Sequence, residues 1–256
     1  MEHKIRVGAV SYLNTKPLIY GFEQGKMKEE LDLIIDYPAN IASLLMNDRI
    51  DIGLVPVAVI PSLKEHHIIS DYCIGCDGEV ASVCLFSDVA MNGIETILLD
   101  YQSRTSVALL KILLKEYWKI SPKLTGGAGD YEKNISGTTA GLVIGDRALL
   151  QRSRSKYIYD LGSAWKEMTG LPFVFAAWIS NKELPVDFIA SFNEANELGF
   201  TNLEKVIAQN STEVFDLKAY YTQFVKYKLN EEMLAAKDLF LSKISNIAID
   251  SKQTVV

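Results

Sequence analysis

Ile5-Arg6-Val7-Gly8-Ala9-Val10-Ser11-Tyr12-Leu13-Asn14-Thr15-Lys16-Pro17-Leu18 decides how the chain is read. Ile5, Val7, Ala9 and Val10 make a short buried strand, and residues 11–15 make a polar turn. Pro17 suits the first residue of a helix, where no backbone N–H is required. A helix start leaves N–H groups unpaired and carries partial positive charge. An anion there is held by backbone donors, with the Ser11, Asn14 and Thr15 side chains beside it. The same residues also serve a plainer purpose, in which Asn14 or Thr15 simply caps the helix.

Outward from this stretch the pattern continues. Residues 31–37 read as a second strand and 38–47 as a helix with Ile41, Leu44 and Leu45 on one face. Asp51-Ile52-Gly53-Leu54-Val55-Pro56-Val57 is a buried strand running into a proline turn. Three strands with helical crossovers inside about 55 residues predict a parallel α/β sheet with right-handed connections. In such sheets the loops at the carboxyl ends of strands build the ligand site, which points to 11–15 and to the turn at Pro56. Strands follow at 68–76 and 80–87, with Ser82 inside the second; it reads equally as a buried serine bonded to backbone.

The opening is then echoed. Thr96-Ile97-Leu98-Leu99-Asp100 is a compact strand, Tyr101-Gln102-Ser103-Arg104-Thr105-Ser106 a hydroxyl-rich turn, and 107–117 a helix. This is a second candidate anion cradle, where Arg104 either grips a carboxylate or points to solvent. Residues 126–129 are glycine-rich but lack the Gly-Lys-Ser/Thr ending of a phosphate loop, and read as a loop. A strand at 140–146 ends in a polar turn at Asp146, and Arg152, Arg154 and Lys156 read as a solvated basic patch. A short helix near 163–169 and an apolar strand at 173–178 follow. From Pro185 onward only helices are expected, at about 185–198, 200–209, 213–224 and 230–246, before a polar tail from Asp250.

The chain has 256 residues, long for one simple domain. Crossings near 87–95 and 173–180 give two lobes: 1–90 with 175–256, and 91–174 between them. The expected architecture is α/β, two-lobed, with a hinge and a central cleft as the ligand site. Hydrophobic residues at 48% and charged residues at 23% fit a globular core of ordinary size. The net charge of −6, with no basic block, argues against nucleic acid as a partner. No leader pattern opens the chain and no run nears the roughly 18 apolar residues that span a bilayer. A cytoplasmic protein without a membrane partner is therefore expected. Cys73, Cys76 and Cys84 are odd in number and fit reduced thiols; Cys73-Ile74-Gly75-Cys76 has no second pair to complete a metal site.

Taken in order, Ser11-Tyr12-Leu13-Asn14-Thr15-x-Pro17-Leu18, Asp51-Ile52-Gly53-Leu54-Val55-Pro56, Ser82, Asp100-x-x-Ser103-x-Thr105-Ser106, Ile144-Gly145-Asp146, Asp160-Leu161-Gly162-x-Ala164-Trp165 and Thr169-Gly170-Leu171-Pro172-Phe173-Val174-Phe175-Ala176 resemble the chorismate dehydratase family of the futalosine route to menaquinone. The resemblance covers about residues 5–180. It implies a periplasmic-binding-protein-like fold of type II and conversion of chorismate to 3-[(1-carboxyvinyl)oxy]benzoate and water, as a carbon–oxygen lyase without cofactor or metal. It implies Asn14 and Ser82 nearest the reacting ring. Substrate contacts are expected from Ser11, Tyr12, Thr15, Pro56, Ser103, Arg104, Thr105, Ser106 and Asp146. An amide is no base at neutral pH, so Asn14 orients substrate or stabilises developing charge. The proton goes either to a substrate carboxylate or to Asp146, which reads equally as a helix cap. His3, His66 and His67 lie outside the motif turns. A solute-binding protein for a small anion, the ligand-sensing domain of a transcription regulator and the related 1,4-dihydroxy-6-naphthoate synthase share this fold. The first two lack support from a leader or from a helix-turn-helix segment, and the Ser-Tyr-Leu-Asn-Thr turn resembles the dehydratase branch.

Overall fold

The computed structural model describes residues 4–253. In chain order β1 (Ile5–Val10) leads into α1 (Lys16–Gln24), then β2 (Leu31–Asp36), α2 (Pro38–Met46), β3 (Ile52–Pro56) and β4 (His67–Cys76). Next come β5 (Val83–Ser87), β6 (Thr96–Leu99), α3 (Arg104–Leu113), β7 (Lys123–Gly126), β8 (Thr139–Ile144) and α4 (Gly145–Gln151). Then follow β9 (Tyr157–Asp160), α5 (Leu161–Thr169), β10 (Phe173–Ser180), α6 (Val186–Thr201) and α7 (Leu203–Gln209). A short α8 (Leu217–Ala219), β11 (Lys226–Lys228) and the long α9 (Glu231–Gln253) complete the chain. The end of the expected polar tail, 254–256, and His3 lie outside the described residues.

The chain divides into two compact units, Met1–Gly75 with Phe175–Asn230, and Cys76–Val174 with Glu231–Val256. This differs from the expected lobes in two ways. The first crossing falls at Gly75, not near 87–95, because β5 pairs antiparallel with β8 and β9 of the second unit's sheet. The last helix also leaves the first unit. α9 sends Phe240 against Trp165 and Phe173, with ring centroids 6.1 and 4.9 Å away in edge-to-face contact. The chain thus crosses three times, where two crossings were expected.

In the first unit the sheet order is β11-β4-β10-β3-β1-β2. β1 runs parallel to β2 and β3, as its crossovers require, and β10 returns antiparallel to β3. Arg6 on β1 ties to Asp51 at the foot of β3. Its Nε and Nη2 donate to the carboxylate at 3.0 and 3.2 Å, and its backbone N–H donates at 3.0 Å. Lys182 Nζ donates to the same carboxylate at 2.9 Å. Burial alone would lift the Asp51 pKa; Arg6 and Lys182 together hold it well below the usual carboxylate range.

α1 meets α6 backbone to backbone at two glycines, with Phe22 packed on Phe192 at 4.7 Å between ring centroids. A Cβ added at Gly199 would sit 1.8 Å from the Pro17 carbonyl oxygen, and one at Gly21 would sit 2.0 Å from the Ala195 oxygen. Both glycines are required by close backbone approach.

The second unit's sheet runs β7-β6-β8-β5-β9, with β6 parallel to β7 and β8. Three strands went unread in the sequence. β7, Lys-Leu-Thr-Gly, is an exposed edge without an apolar run, β9, Tyr-Ile-Tyr-Asp, is only four residues long and half-buried throughout, and β11, Lys-Tyr-Lys, is only three residues long. Among the described residues no helix is long and apolar enough to cross a membrane.

Two outcomes follow from these contacts. Gly199→Ala should cost about 3 kcal/mol in urea unfolding, because the obstructing atom is backbone and cannot rotate away; a cost under about 0.5 kcal/mol would contradict the close helix contact. Asp51→Asn should cost about 1–3 kcal/mol at neutral pH. The folded pKa of Asp51 is depressed, so its contribution is complete above the unfolded value near 4 and is lost as pH falls below it. The stability difference between wild type and Asp51→Asn should therefore shrink on acidification below about pH 4.

Candidate active site

The turn at the head of α1 is built from β1, whose carboxyl end delivers Ser11 and Tyr12 directly into a 3-10 turn at Leu13–Thr15. Asn14 is 8% exposed and Thr15 is fully buried, so two polar side chains sit inside the first unit. Neither caps α1: the cap residue Thr15 makes no side-chain cap bond, and the Lys16 N–H is taken by the Leu13 carbonyl. Instead the Thr15 hydroxyl donates to Asn14 Oδ1 at 3.3 Å. Pro17 stands one residue inside the helix, which begins at Lys16.

The Asn14 backbone is pinned from a distance. Tyr227 on β11 donates its hydroxyl to the Asn14 carbonyl at 2.9 Å across 213 residues of sequence. Burial pushes the Tyr227 phenol well above its usual pKa, so it stays a donor. Nothing local marks Tyr227; its signal lay in a strand too short to see. Pro56 closes β3 opposite Ala176 of β10.

In the second unit Ser103, Thr105 and Ser106 are buried around the start of α3, while Arg104 is exposed. Ser103 does cap its helix, accepting from the Ser106 N–H at 3.1 Å and donating to Ser106 Oγ at 2.9 Å. The two turns that look alike in sequence therefore use their hydroxyls differently. Beneath the second turn lies Asp100, which accepts from the Gln102 N–H at 2.7 Å, Tyr131 Oη at 2.7 Å and Arg147 Nη2 at 2.7 Å. Its pKa is still raised, because burial outweighs the guanidinium. Arg147 also reaches Gln102 Oε1 at 2.9 Å and Glu132 at 2.6 Å. Asp146 falls in the first turn of α4, whose cap residue is Ile144, so it does not hold the cap position.

Ser82 is 1% exposed and lies in the turn before β5, not within the strand as expected. The extended run breaks because Ala81 takes φ 64, a left-handed conformation rare for a residue with Cβ. The Ser82 N–H bonds the Val80 carbonyl at 2.8 Å, closing a three-residue turn about Ala81. Asp160 holds the turn's N–H groups, and Arg152 donates to the Ala81 carbonyl at 3.1 Å. Arg152 is thus drawn inward and paired with Glu79 at 2.7 Å, in place of the solvated patch expected of it. Asp160 and Arg152 carried no role in the sequence reading; a carboxylate directly before a glycine-bearing helix start was the available signal.

Cys73, Cys76 and Cys84 are all buried and unbridged. His67 pairs with Glu65 at 2.8 Å. Among the described residues no three His, Cys, Asp or Glu side chains gather as a metal set.

A family model described as "Menaquinone biosynthesis" matches residues 5–246. The chain belongs to this menaquinone biosynthesis family. A relative from Thermus thermophilus named chorismate dehydratase is 30% identical over 222 residues, covering 78% of this chain and 79% of that one. A chorismate dehydratase of Campylobacter jejuni is 25% identical over 252 residues, covering 94% and 99%. Among solved structures, the periplasmic aliphatic sulphonate binding protein SsuA from Escherichia coli matches with a TM-score of 0.62 at 14% identity, covering 97% of this chain and 89% of that one. The menaquinone biosynthesis family member described here therefore has the periplasmic-binding-protein-like α/β fold expected from its motifs.

Tyr227→Phe should destabilise the protein by about 1–3 kcal/mol, since it leaves the buried Asn14 carbonyl without its donor. Thermal unfolding indistinguishable from wild type would show that the contact carries no weight.

Proposed function

We propose that this protein is a chorismate dehydratase acting in menaquinone biosynthesis, removing water from chorismate to give 3-[(1-carboxyvinyl)oxy]benzoate. The observation that carries the proposal is the match of residues 5–246 to a menaquinone biosynthesis family, alongside two relatives that bear the dehydratase name. The solute-binding reading shares the fold, and fold alone does not choose between them.

The reaction is a hydro-lyase elimination. The electrons of a ring C–H bond become the last double bond of the aromatic ring, the hydroxyl leaves with its bonding pair, and the proton joins it as water. Oxidation level is unchanged overall, so no electron carrier is consumed. Aromatisation supplies the driving force, and the protein's task is to fix a dianion in one pose and exclude water. In this proposal Asn14 and Ser82 meet the reacting ring. Ser11, Tyr12, Thr15 and Pro56 hold substrate from the first unit, and Ser103, Arg104, Thr105, Ser106 and Asp146 from the second. Asn14 acts as a hydrogen-bonding amide, which suits an oxygen that gains charge as the C–O bond breaks. A carboxylate of the substrate takes the ring proton. In this proposal the enzyme works in the cytoplasm.

Purified protein mixed with chorismate should yield a product lighter by one water, followed by mass spectrometry, without added metal or redox cofactor. Asn14→Ala should lower turnover about a hundredfold. Chorismate left intact by the wild type would overturn the function, and an Asn14→Ala variant of normal rate would remove Asn14 from the chemistry.

A further inference from the structure

Ser82 sits on a backbone that would not hold its shape unaided. Among the described residues Ala81 is one of three non-glycine residues with positive φ, and the three-residue turn around it is of a strained type. Such a turn persists only when its surroundings over-determine it. Here they do. Asp160 Oδ2 accepts from the Ala81 N–H at 2.8 Å, and both carboxylate oxygens accept from the Val80 N–H at 3.2 Å. Arg152 Nη1 donates to the Ala81 carbonyl at 3.1 Å, and the Gly145 N–H donates to the Ser82 carbonyl at 2.8 Å. The backbone polar groups of Ala81 and Ser82 are thereby all engaged.

Asp160 is also the cap of α5, where Oδ1 accepts from the Gly162 and Ser163 N–H groups at 2.9 and 3.1 Å. One half-buried carboxylate thus faces donors on both sides, the helix start with Oδ1 and the Ser82 turn chiefly with Oδ2. A cap alone needs one acceptor oxygen, and many helices are capped by serine. Two acceptors pointing opposite ways are needed only if the turn must be gripped as well. Gly162 lets the two parts close: a Cβ there would lie 2.4 Å from the Gly78 carbonyl oxygen.

We propose that Asp160 is the positioning residue for Ser82, holding the left-handed turn at Ala81 so that the Ser82 hydroxyl is presented to chorismate in a fixed pose. This rests on the reading of Ser82 as a residue that meets substrate. Asp160 touches no reacting atom; it acts through the turn.

The test is steady-state turnover of chorismate by the full chain as wild type, Ser82→Ala, Asp160→Asn and the double variant, with melting temperatures for each. In Asp160→Asn one oxygen becomes an NH2 group, which meets backbone donors on one side whichever way the amide turns. Its kcat should fall about tenfold or more with KM within about twofold, the scale expected when a strained turn relaxes. In the Ser82→Ala background the same change should lower kcat by less than about threefold, because the group it positions is already gone. Asp160→Ser keeps the cap of α5 and loses the turn, so it should fold and show the same kcat loss; it takes the place of Asp160→Asn if that variant does not fold. Adding Ala81→Gly to Asp160→Asn should restore kcat about threefold or more, since glycine adopts positive φ without steric cost. An equal kcat loss with and without the Ser82 hydroxyl, no loss at all, or no rescue by Ala81→Gly would overturn the positioning role. Failure of the underlying readings looks different: wild type that leaves chorismate intact removes the function, and Ser82→Ala at wild-type rate removes Ser82.

Discussion

The polar turn at the head of α1 depends on a close approach of backbone to backbone. Pro17 and Gly21 of α1 meet Ala195 and Gly199 of α6 so closely that no Cβ fits at either glycine. A helix seated on another through side chains can shift as rotamers change; one seated through carbonyl oxygens and Cα atoms has little such freedom. The position of Lys16, and with it the turn carrying Asn14 and Thr15, is set by where α6 lies. β1 fixes the turn from its other end through its parallel ladders to β2 and β3, and Tyr227 fixes the Asn14 carbonyl between them. A buried amide and a buried hydroxyl are costly to leave mobile, and this framework holds them without spending either on a helix cap.

The second unit reaches the same end by a different device. Its turns are organised by carboxylates placed under them. Asp100 gathers the Gln102 N–H, Tyr131 and Arg147 below the turn that leads to α3. Asp160 gathers four backbone N–H groups between the Ser82 turn and α5. Burial disfavours the charged form of both and raises their pKa. A solvated charge would be cheaper, so the return lies in rigidity: an anion with several convergent donors fixes the loops that supply them. Chain segments from 80, 100, 145 and 160 are registered against one another in this way.

Much of this was legible in the sequence where hydrophobic period and turn chemistry agree. β1, β6 and β8 are apolar runs leading into polar turns and β3 is an apolar run leading into a proline turn, and the α/β class with its hydroxyl-bearing turns follows from them. What escaped has a physical reason each time. β11 is three residues long with lysines at both ends, so no period can be read, yet it carries Tyr227. Ser82 was read into a strand because Val80, Ala81 and Val83 make an otherwise apolar run around it; the positive φ of Ala81 goes with tertiary bonds from Asp160 and Arg152 that no local pattern announces. The lobe boundaries were misplaced because ladder partners, not local composition, assign β5 and α9 to the second unit. The roles of individual side chains rested on the motif resemblance, since a turn rich in Ser and Thr looks the same whether its hydroxyls cap a helix or face a ligand.

That ambiguity is where the two turns part, and it bears on the chemistry. Ser103 is spent as a cap, its oxygen engaged by the Ser106 N–H. Asn14 and Thr15 are not, and their side chains pair with each other. A binding protein for small anions needs donors and little else, and cap-like turns in both units would serve it. An eliminating enzyme needs in addition a polar group held near the breaking bond without being neutralised by the helix it borders. The α1 turn offers a buried amide on a backbone held by α6, β1 and Tyr227, its oxygen bonded by the Thr15 hydroxyl and neither side chain used as a helix cap. In the proposed dehydratase reaction the Asn14 amide is the group given this task, and the difference between the two turns is one that the shared fold does not supply.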